Sequence, residues 1–189
     1  MRKDLMEEEA LRPDRRVYNR LGYVPAEIPE SVTRTLEYAY NDWVLSEFAA
    51  DLGKPEAHSV LHERAFSYRN LFKPEVRFMK PRYRDGSWAA YGGFKEGDEW
   101  TYSWFVPHNV RDLINLMGGK DAFSGHLERA FAEGHYIHDN EPPLHYAYLF
   151  SFAGKPWKTQ YWSREIMNRY YGTGPDGIPG NDDLGSMSS

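Results

Sequence analysis

The sequence predicts an all-α protein built from αα-hairpins and interrupted once, around residues 73–105, by a long irregular insertion. Three observations lead there. Apolar residues recur at three- and four-residue spacing over most of the chain, as at Leu36, Tyr40 and Trp43, which gathers them on helical faces. Three turns between such stretches share a Gly-Lys pair, at Gly53-Lys54, Gly119-Lys120 and Gly154-Lys155. Between the first and second of these turns, Pro74, Pro81, Asp85-Gly86, Gly92-Gly93 and Gly97 break the helical period.

Residues 1–20 form a charged segment expected to hold a short helix, followed by a loop through Gly22-Tyr-Val-Pro25. Ser31 is the expected N-cap of the next helix. That helix ends at Gly53, and Pro55 opens its partner, the Gly-out, Pro-in order of helix ends. Ala57, Val60, Leu61, Ala65, Tyr68 and Leu71 make one stripe on this second helix, which stops before Pro74. Helix is expected again from Pro107-His108-Asn109 to Met117, from Ala122 to Glu133, from about Pro143 to Phe152, and from Trp157 to Tyr171. The tail from Gly172 is rich in Gly, Pro, Asn, Asp and Ser.

The helices share more than their turns. Glu63-Arg-Ala-Phe66 recurs as Glu128-Arg-Ala-Phe131, and Tyr-Ala-Tyr occurs at 38–40 and 146–148. Three αα-hairpins on one plan account for this. Six such hairpins close an (α/α)6 toroid, so three make about half a ring. Half a ring leaves inner surface uncovered, to be completed by a second copy, by further chain, or by curling into a smaller bundle. An open solenoid of three repeats is the plainer alternative.

Composition narrows the chemistry. The 189 residues include no cysteine, so disulfides, thiolate metal sites and cysteine nucleophiles are excluded. A net charge of −5 argues against nucleic acid as the main partner. No apolar run approaches the ~18 residues of a bilayer span, and Met1-Arg-Lys-Asp-Leu-Met-Glu-Glu-Glu lacks the apolar core of a signal peptide. The localisation of the chain is left open. Aromatic residues reach 16%, which suits stacking on sugar faces and packing alike.

Three polar clusters could carry chemistry. Gly134-His135-Tyr-Ile-His138-Asp139-Asn140-Glu141-Pro142-Pro143-Leu-His145 is the densest. Glu141 precedes a proline and is biased toward extended backbone. A helix opening at Pro142 or Pro143 would set its carboxylate at the positive end of the dipole, as a cap, whereas an aromatic pocket would raise its pKa toward that of a general acid. Histidines 135, 138 and 145 match no metal spacing. Asp176-Gly-Ile-Pro-Gly180-Asn181-Asp182-Asp183-Leu-Gly185 offers hard oxygen ligands suited to Ca²⁺, or a polar turn. Lys95-Glu96-Gly97-Asp98-Glu99-Trp100-Thr-Tyr102-Ser-Trp104-Phe105-Val-Pro107-His108 interleaves carboxylates with aromatics, as a sugar platform or an amphipathic packing segment would.

Taken in order, these segments resemble glycoside hydrolase family 92, the calcium-dependent exo-α-mannosidases. The matching stretches include Gly22-Tyr-Val-Pro25, Ser31 through Trp43, Arg82-Tyr-Arg-Asp-Gly-Ser-Trp88, Glu96 through Tyr102, Phe105-Val-Pro-His108 and Gly118-Gly119. The most specific are His138-Asp-Asn-Glu-Pro142 with His145, Gly154-Lys-Pro-Trp157, and Gly180-Asn-Asp-Asp183 with Gly185 and Met187-Ser188. The resemblance implies a partial (α/α)6 catalytic domain over residues 21–189. An N-terminal β-sandwich, the first half of the toroid and a C-terminal region would lie outside the chain. It implies an inverting exo-α-mannosidase, acting on terminal, α-1,2-linked mannose of glycans, with Glu141 as the general acid. Asn140, Asp182 and Asp183 would line the Ca²⁺ site, and Trp88, Glu96, Trp100, His138 and His145 would contact substrate. Water attacks the opposite face, activated by a base expected beyond the chain; an inverting pair stands ~6.5–9.5 Å apart. The family is commonly secreted or periplasmic.

The chain departs from the family pattern in two places. Only Ala89 to Lys95 separates the Asp-Gly-Ser-Trp stretch from the Glu-Gly motif, and Asp98, Glu99 and Thr101 replace three residues of that motif. The alternative reading from another class is a non-catalytic αα-hairpin module or a sugar-binding remnant.

Overall fold

The computed structural model describes residues 12–180. These are mostly helical and divide into two compact units, one reaching Tyr102 and including Val106–His108, the other comprising Ser103–Phe105 and the chain from Asn109 onward.

The first unit holds α1 (Pro13–Leu21), α2 (Ser31–Asp51) and α3 (Pro55–Arg64), then a 3₁₀ turn at Ser67–Leu71. Strands β1 (Phe72–Lys73) and β2 (Phe78–Met79) pair antiparallel, Phe72 opposite Met79, and α4 spans Glu99–Tyr102. The second unit holds α5 (Val110–Leu116), α6 (Lys120–Ala132), α7 (Tyr146–Phe152) and α8 (Pro156–Tyr170). The expected insertion thus carries a small hairpin, an isolated bridge between Arg82 and Trp88, and one helical turn.

The three hairpins α2–α3, α5–α6 and α7–α8 turn by one device. Gly53 has φ 64° and Gly154 has φ 78°. Each donates its N–H three residues back, to Ala50 and Ser151, while the next lysine reaches five back, to Ala49 and Phe150. This is the Schellman arrangement, which satisfies the last carbonyls of a helix and requires a left-handed residue. In the middle turn the same bonds run from Gly118 to Asn115 and from Gly119 to Ile114. The geometric partner of Gly53 is therefore Gly118, at φ 96°, and the repeat read at Gly119-Lys120 is offset by one residue.

Other elements differ from expectation for local reasons. Ser31 does not cap α2; Glu30 occupies the N-cap with φ 59° and makes no side-chain cap bond. The carbonyl of Gly93 takes its place, accepting from Val32 N at 2.8 Å and Thr33 N at 3.3 Å. Helix α3 ends at Arg64, so the stripe from Ala57 to Leu71 breaks, and Val60 is 57% exposed. Pro142 and Pro143 start a turn, not a helix, and α7 begins at Tyr146.

Tyr18, Val24 and Tyr38 form one buried cluster of the core of the first unit, with Ile28 packed against them. Helix α1 crosses the boundary expected at residue 20 and brings charge into this core. Asp42 is fully buried; Tyr18 donates to it at 3.0 Å, Arg64 lies at 3.2 Å and Arg15 at 3.4 Å. Burial raises the Asp42 carboxyl above its ordinary range, although the arginines pull it down. Removing one partner of such a group leaves a buried charge unmatched. Beside it, His108 donates from Nε2 to the Ala65 carbonyl at 2.9 Å and stacks on Trp43. Its Nδ1 is buried without a hydrogen-bond partner among the described residues. In the second unit Phe131 stacks between Tyr136 and Trp162, at 4.5 and 4.6 Å.

Two measurements follow from this geometry. A Cβ at Gly93 would stand 3.0 Å from Pro81 Cβ, Ser31 Oγ and Val32 Cγ2, at φ 82°. Gly93→Ala is expected to lower unfolding free energy by about 1–3 kcal/mol, read by urea denaturation; an unchanged midpoint removes the capping role. Burial holds His108 below the ordinary histidine pKa. The unfolded chain therefore takes up the proton first, so His108 stabilises fully above pH ~6.5 and its contribution is lost as pH falls from there. His108→Gln should flatten the dependence of the unfolding midpoint as pH falls below about 6.5; a slope equal to the parent's contradicts this.

Candidate active site

The second unit contains the segment that carries Glu141. Gly134, at φ 78°, ends the α6 region, and Tyr136 N donates back to Ala130 O at 2.7 Å. The ring of His138 is 4% exposed and held at both nitrogens, with Tyr136 Oη 2.5 Å from Nδ1 and Tyr171 Oη 2.7 Å from Nε2. Burial keeps its pKa below the ordinary value, so the ring is neutral. One phenol then donates to the ring and the other accepts from it. Both ring nitrogens are thus engaged by phenols of the same unit.

Asn140 Oδ1 accepts from the Glu141 N–H at 3.0 Å. The Glu141 side chain is exposed, and its carbonyl accepts from Leu144 N at 3.1 Å to form the turn. The expected juxtaposition of Glu141 with a helix N-terminus is replaced by this turn. His145 packs edge-on against Phe105, and its Nε2 lies 3.3 Å from the Trp104 carbonyl. Burial lowers its pKa, against the pull of the Trp104 and Pro142 carbonyls. Thus His145 also ties backbone together within the unit and spends its polarity on carbonyls.

The C-terminal loop meets the same segment. Gly172 N donates to Gly177 O at 2.9 Å, and a Cβ on Gly177 would fall 2.3 Å from Gly172 O. A Cβ on Gly180, at φ 68°, would stand 2.3 Å from Asp139 Cα and 2.4 Å from its carbonyl oxygen. Only glycine allows this approach. The expected ligands Asp182 and Asp183 lie outside the described residues. Among the described residues, no three His, Asp or Glu side chains gather as a metal-binding group.

In the first unit, Trp88 is half-buried and sits between two cations, with Arg82 at 5.1 Å and Lys73 at 5.8 Å from its ring. Trp100, on α4, packs edge-on against Phe78 at 4.7 Å. Glu96 adopts φ 49°, an uncommon backbone state for a residue with a side chain. Its carboxylate is largely exposed, 3.4 Å from Lys95 Nζ. The three departures in this motif have local partners. Asp98 Oδ1 accepts from both Thr101 N and Thr101 Oγ1, at 2.9 and 3.2 Å, while Glu99 pairs with Lys80 at 3.1 Å. They cap and anchor α4.

The motif reading included Gly180 but not its seat on Asp139, and it gave no role to Tyr136 or Tyr171. Tyr170-Tyr171 sits at the end of a helical pattern, so nothing local singles it out.

Similar proteins agree with this arrangement of segments. The model of the glycosyl hydrolase family 92 catalytic domain matches residues 1–189. A family GH92 α-mannosidase from Bacteroides thetaiotaomicron is 40% identical, with a TM-score of 0.84 over 90% of this chain and 25% of that one. The structure of that α-mannosidase in complex with mannoimidazole aligns at 36% identity and TM-score 0.82, covering 88% and 26%. An inverting family GH92 mannosidase of the same organism gives 36% and 0.81, covering 89% and 27%. An uncharacterized secreted glycosidase of Arthroderma benhamiae is 29% identical over 89% of this chain and 27% of its own length. The chain spans about a quarter of the length of these relatives. With its whole length matched and its fold shared, the chain belongs to glycosyl hydrolase family 92.

Proposed function

We propose that the chain is part of the catalytic domain of an inverting exo-α-mannosidase that removes terminal mannose, α-1,2-linked, from glycans. Its three hairpins are read as half of an (α/α)6 toroid over residues 21–189. Apolar side chains left exposed on the hairpins, Phe48 and Leu52 on the first, Phe152, Trp157 and Tyr161 on the third, support further hairpins covering them. The β-sandwich, the remaining hairpins and a C-terminal region belong to the rest of the parent, whose export the secreted relative supports.

The observation that carries the reading is an exposed carboxylate, Glu141, on a turn anchored by the buried His138 and by the seat of Gly180 on Asp139. Such a group can meet a glycosidic oxygen without dragging a mobile loop with it. Glu141 protonates the leaving oxygen as the glycosidic bond breaks. A water, activated by a base from the rest of the parent, adds to the opposite face and inverts the anomeric carbon. Trp88 and Trp100 offer ring edges and faces to the sugar, and Glu96 accepts from its hydroxyls.

A hard cation suits the donor set, which is oxygen only: Asn140 with Asp182 and Asp183. The seat of Gly180 on Asp139 supports it, because Asp182 follows two residues later in the sequence. Ca²⁺ held by these residues would polarise sugar hydroxyls and stabilise negative charge near them. Asn140 Oδ1 accepts from the Glu141 amide, and the second lone pair of that oxygen would serve the cation.

A second reading exchanges the carboxylates. Backbone strain collects at functional residues, and Glu96 carries it while Glu141 does not; Glu96 would then be the acid and Glu141 a binding group. Glu141→Gln is expected to lower turnover of mannobiose about 10²- to 10⁴-fold and to spare a dinitrophenyl mannoside, whose leaving group needs no proton. The same pattern in Glu96→Gln instead assigns the acid to Glu96. Full mannobiose turnover in both variants removes both carboxylates from the acid role, and a parent that turns over no mannobiose sinks the mannosidase reading in favour of a non-catalytic module. Chelation should abolish turnover and added Ca²⁺ restore it; indifference to chelator removes the metal.

A further inference from the structure

The segment bearing Glu141 is held by two contacts that no substrate or metal accounts for. His138 bridges Tyr136, whose ring stacks on Phe131 of α6, and Tyr171, which follows the last residue of α8. One residue on, Asp139 takes the α-carbon of Gly180 against its backbone. We propose that the Tyr136–His138–Tyr171 chain and the Gly180 seat act together as a clamp that sets the register of Asn140 and Glu141, His138 being a positioning residue. The inference rests on the function proposed above for Glu141.

The physical case is the pairing of a buried polar chain with a contact that excludes any side chain. A neutral imidazole between two hydroxyls has one donor and one acceptor, and the two phenols match both. Losing either phenol leaves a buried ring nitrogen unsatisfied, which the segment relieves by moving. The hydroxyl of Tyr171 thus couples the end of α8 to the turn, while Gly180 couples the C-terminal loop to the neighbouring peptide. Glu141 follows these anchors by three and two residues, too few to accumulate slack.

The test reads the turn itself in the 189-residue chain, by amide hydrogen exchange. Tyr171→Phe removes one oxygen, and Gly180→Ala adds one carbon. Each should speed exchange at the Glu141 and Leu144 amides about five- to tenfold, while Leu127 of α6 and Phe150 of α7 keep their protection. His138→Asn, which preserves the reach to Tyr136, and His138→Gln, which preserves the reach to Tyr171, should fall between the parent and His138→Ala. On mannobiose, in the parent enzyme, the same variants should lose kcat about tenfold with KM within twofold. Unchanged exchange at Glu141 and Leu144 overturns the clamp. So does loss of protection at Leu127 and Phe150 in step with the turn, because His138 would then be ordinary core. If Glu141→Gln and Glu96→Gln both retain turnover while Tyr171→Phe still frees the turn, the functional reading of Glu141 fails and the clamp stands.

Discussion

A helix can reverse direction tightly only if its last carbonyls find donors, and the rest of this structure depends on that constraint. All three hairpins meet it with a glycine in the left-handed region, at Gly53, Gly118 and Gly154. Each glycine lets two backbone N–H groups fold back onto the helix end. The partner helix then leaves at once, opened by Pro55 or Pro156 in the first and third cases. Side chains cross-link what the backbone brings together: Lys155 reaches Ser124 at 2.7 Å, and Lys158 reaches Glu128.

The two units stabilise themselves differently. In the first, buried charge is matched by buried charge, with Asp42 under two arginines and a phenol, and Asp14 under Tyr38 and Arg34. Such groups constrain which partners can meet more than they add net free energy. In the second, stacked rings predominate: Trp162, Phe131 and Tyr136 stand in sequence, and the last of them carries the hydroxyl that meets His138. Packing and polarity are joined there in one residue.

Features encoded by local grammar were legible in the sequence. Gly53-Lys-Pro and Gly154-Lys-Pro announced turns because a left-handed position and a first-turn proline are properties of single residues. The middle turn was misread by one because two glycines stand together, and only the hydrogen bonds distinguish Gly118 from Gly119. Ser31 looked like a cap, but the capping carbonyl belongs to a distant loop. Pro142-Pro143 looked like a helix start, yet Leu144 bonds to Glu141 and closes a turn first. At the site, Asn140 and Glu141 announced themselves by type. The burial of His138 did not, because its second partner lies 33 residues away. The departures Asp98, Glu99 and Thr101 became intelligible only when Asp98 and Thr101 were seen to bond each other and Glu99 to meet Lys80.

The borrowed cap of α2 also bears on how this chain acquires its structure. Val32 and Thr33 receive a carbonyl from Gly93, and Thr33 Oγ1 accepts from Lys95 N, a bond spanning 62 residues. During synthesis α2 and α3 emerge from the ribosome before that loop does. The first hairpin must therefore persist with a frayed leading end, sustained by its own turn and packing. Closing so long a loop is entropically costly and slow compared with forming a local turn. The loop carrying Gly93 thus acts as a late latch, and nascent chains in which that loop has not yet emerged present an α2 whose first turn is still open to water and to chaperones.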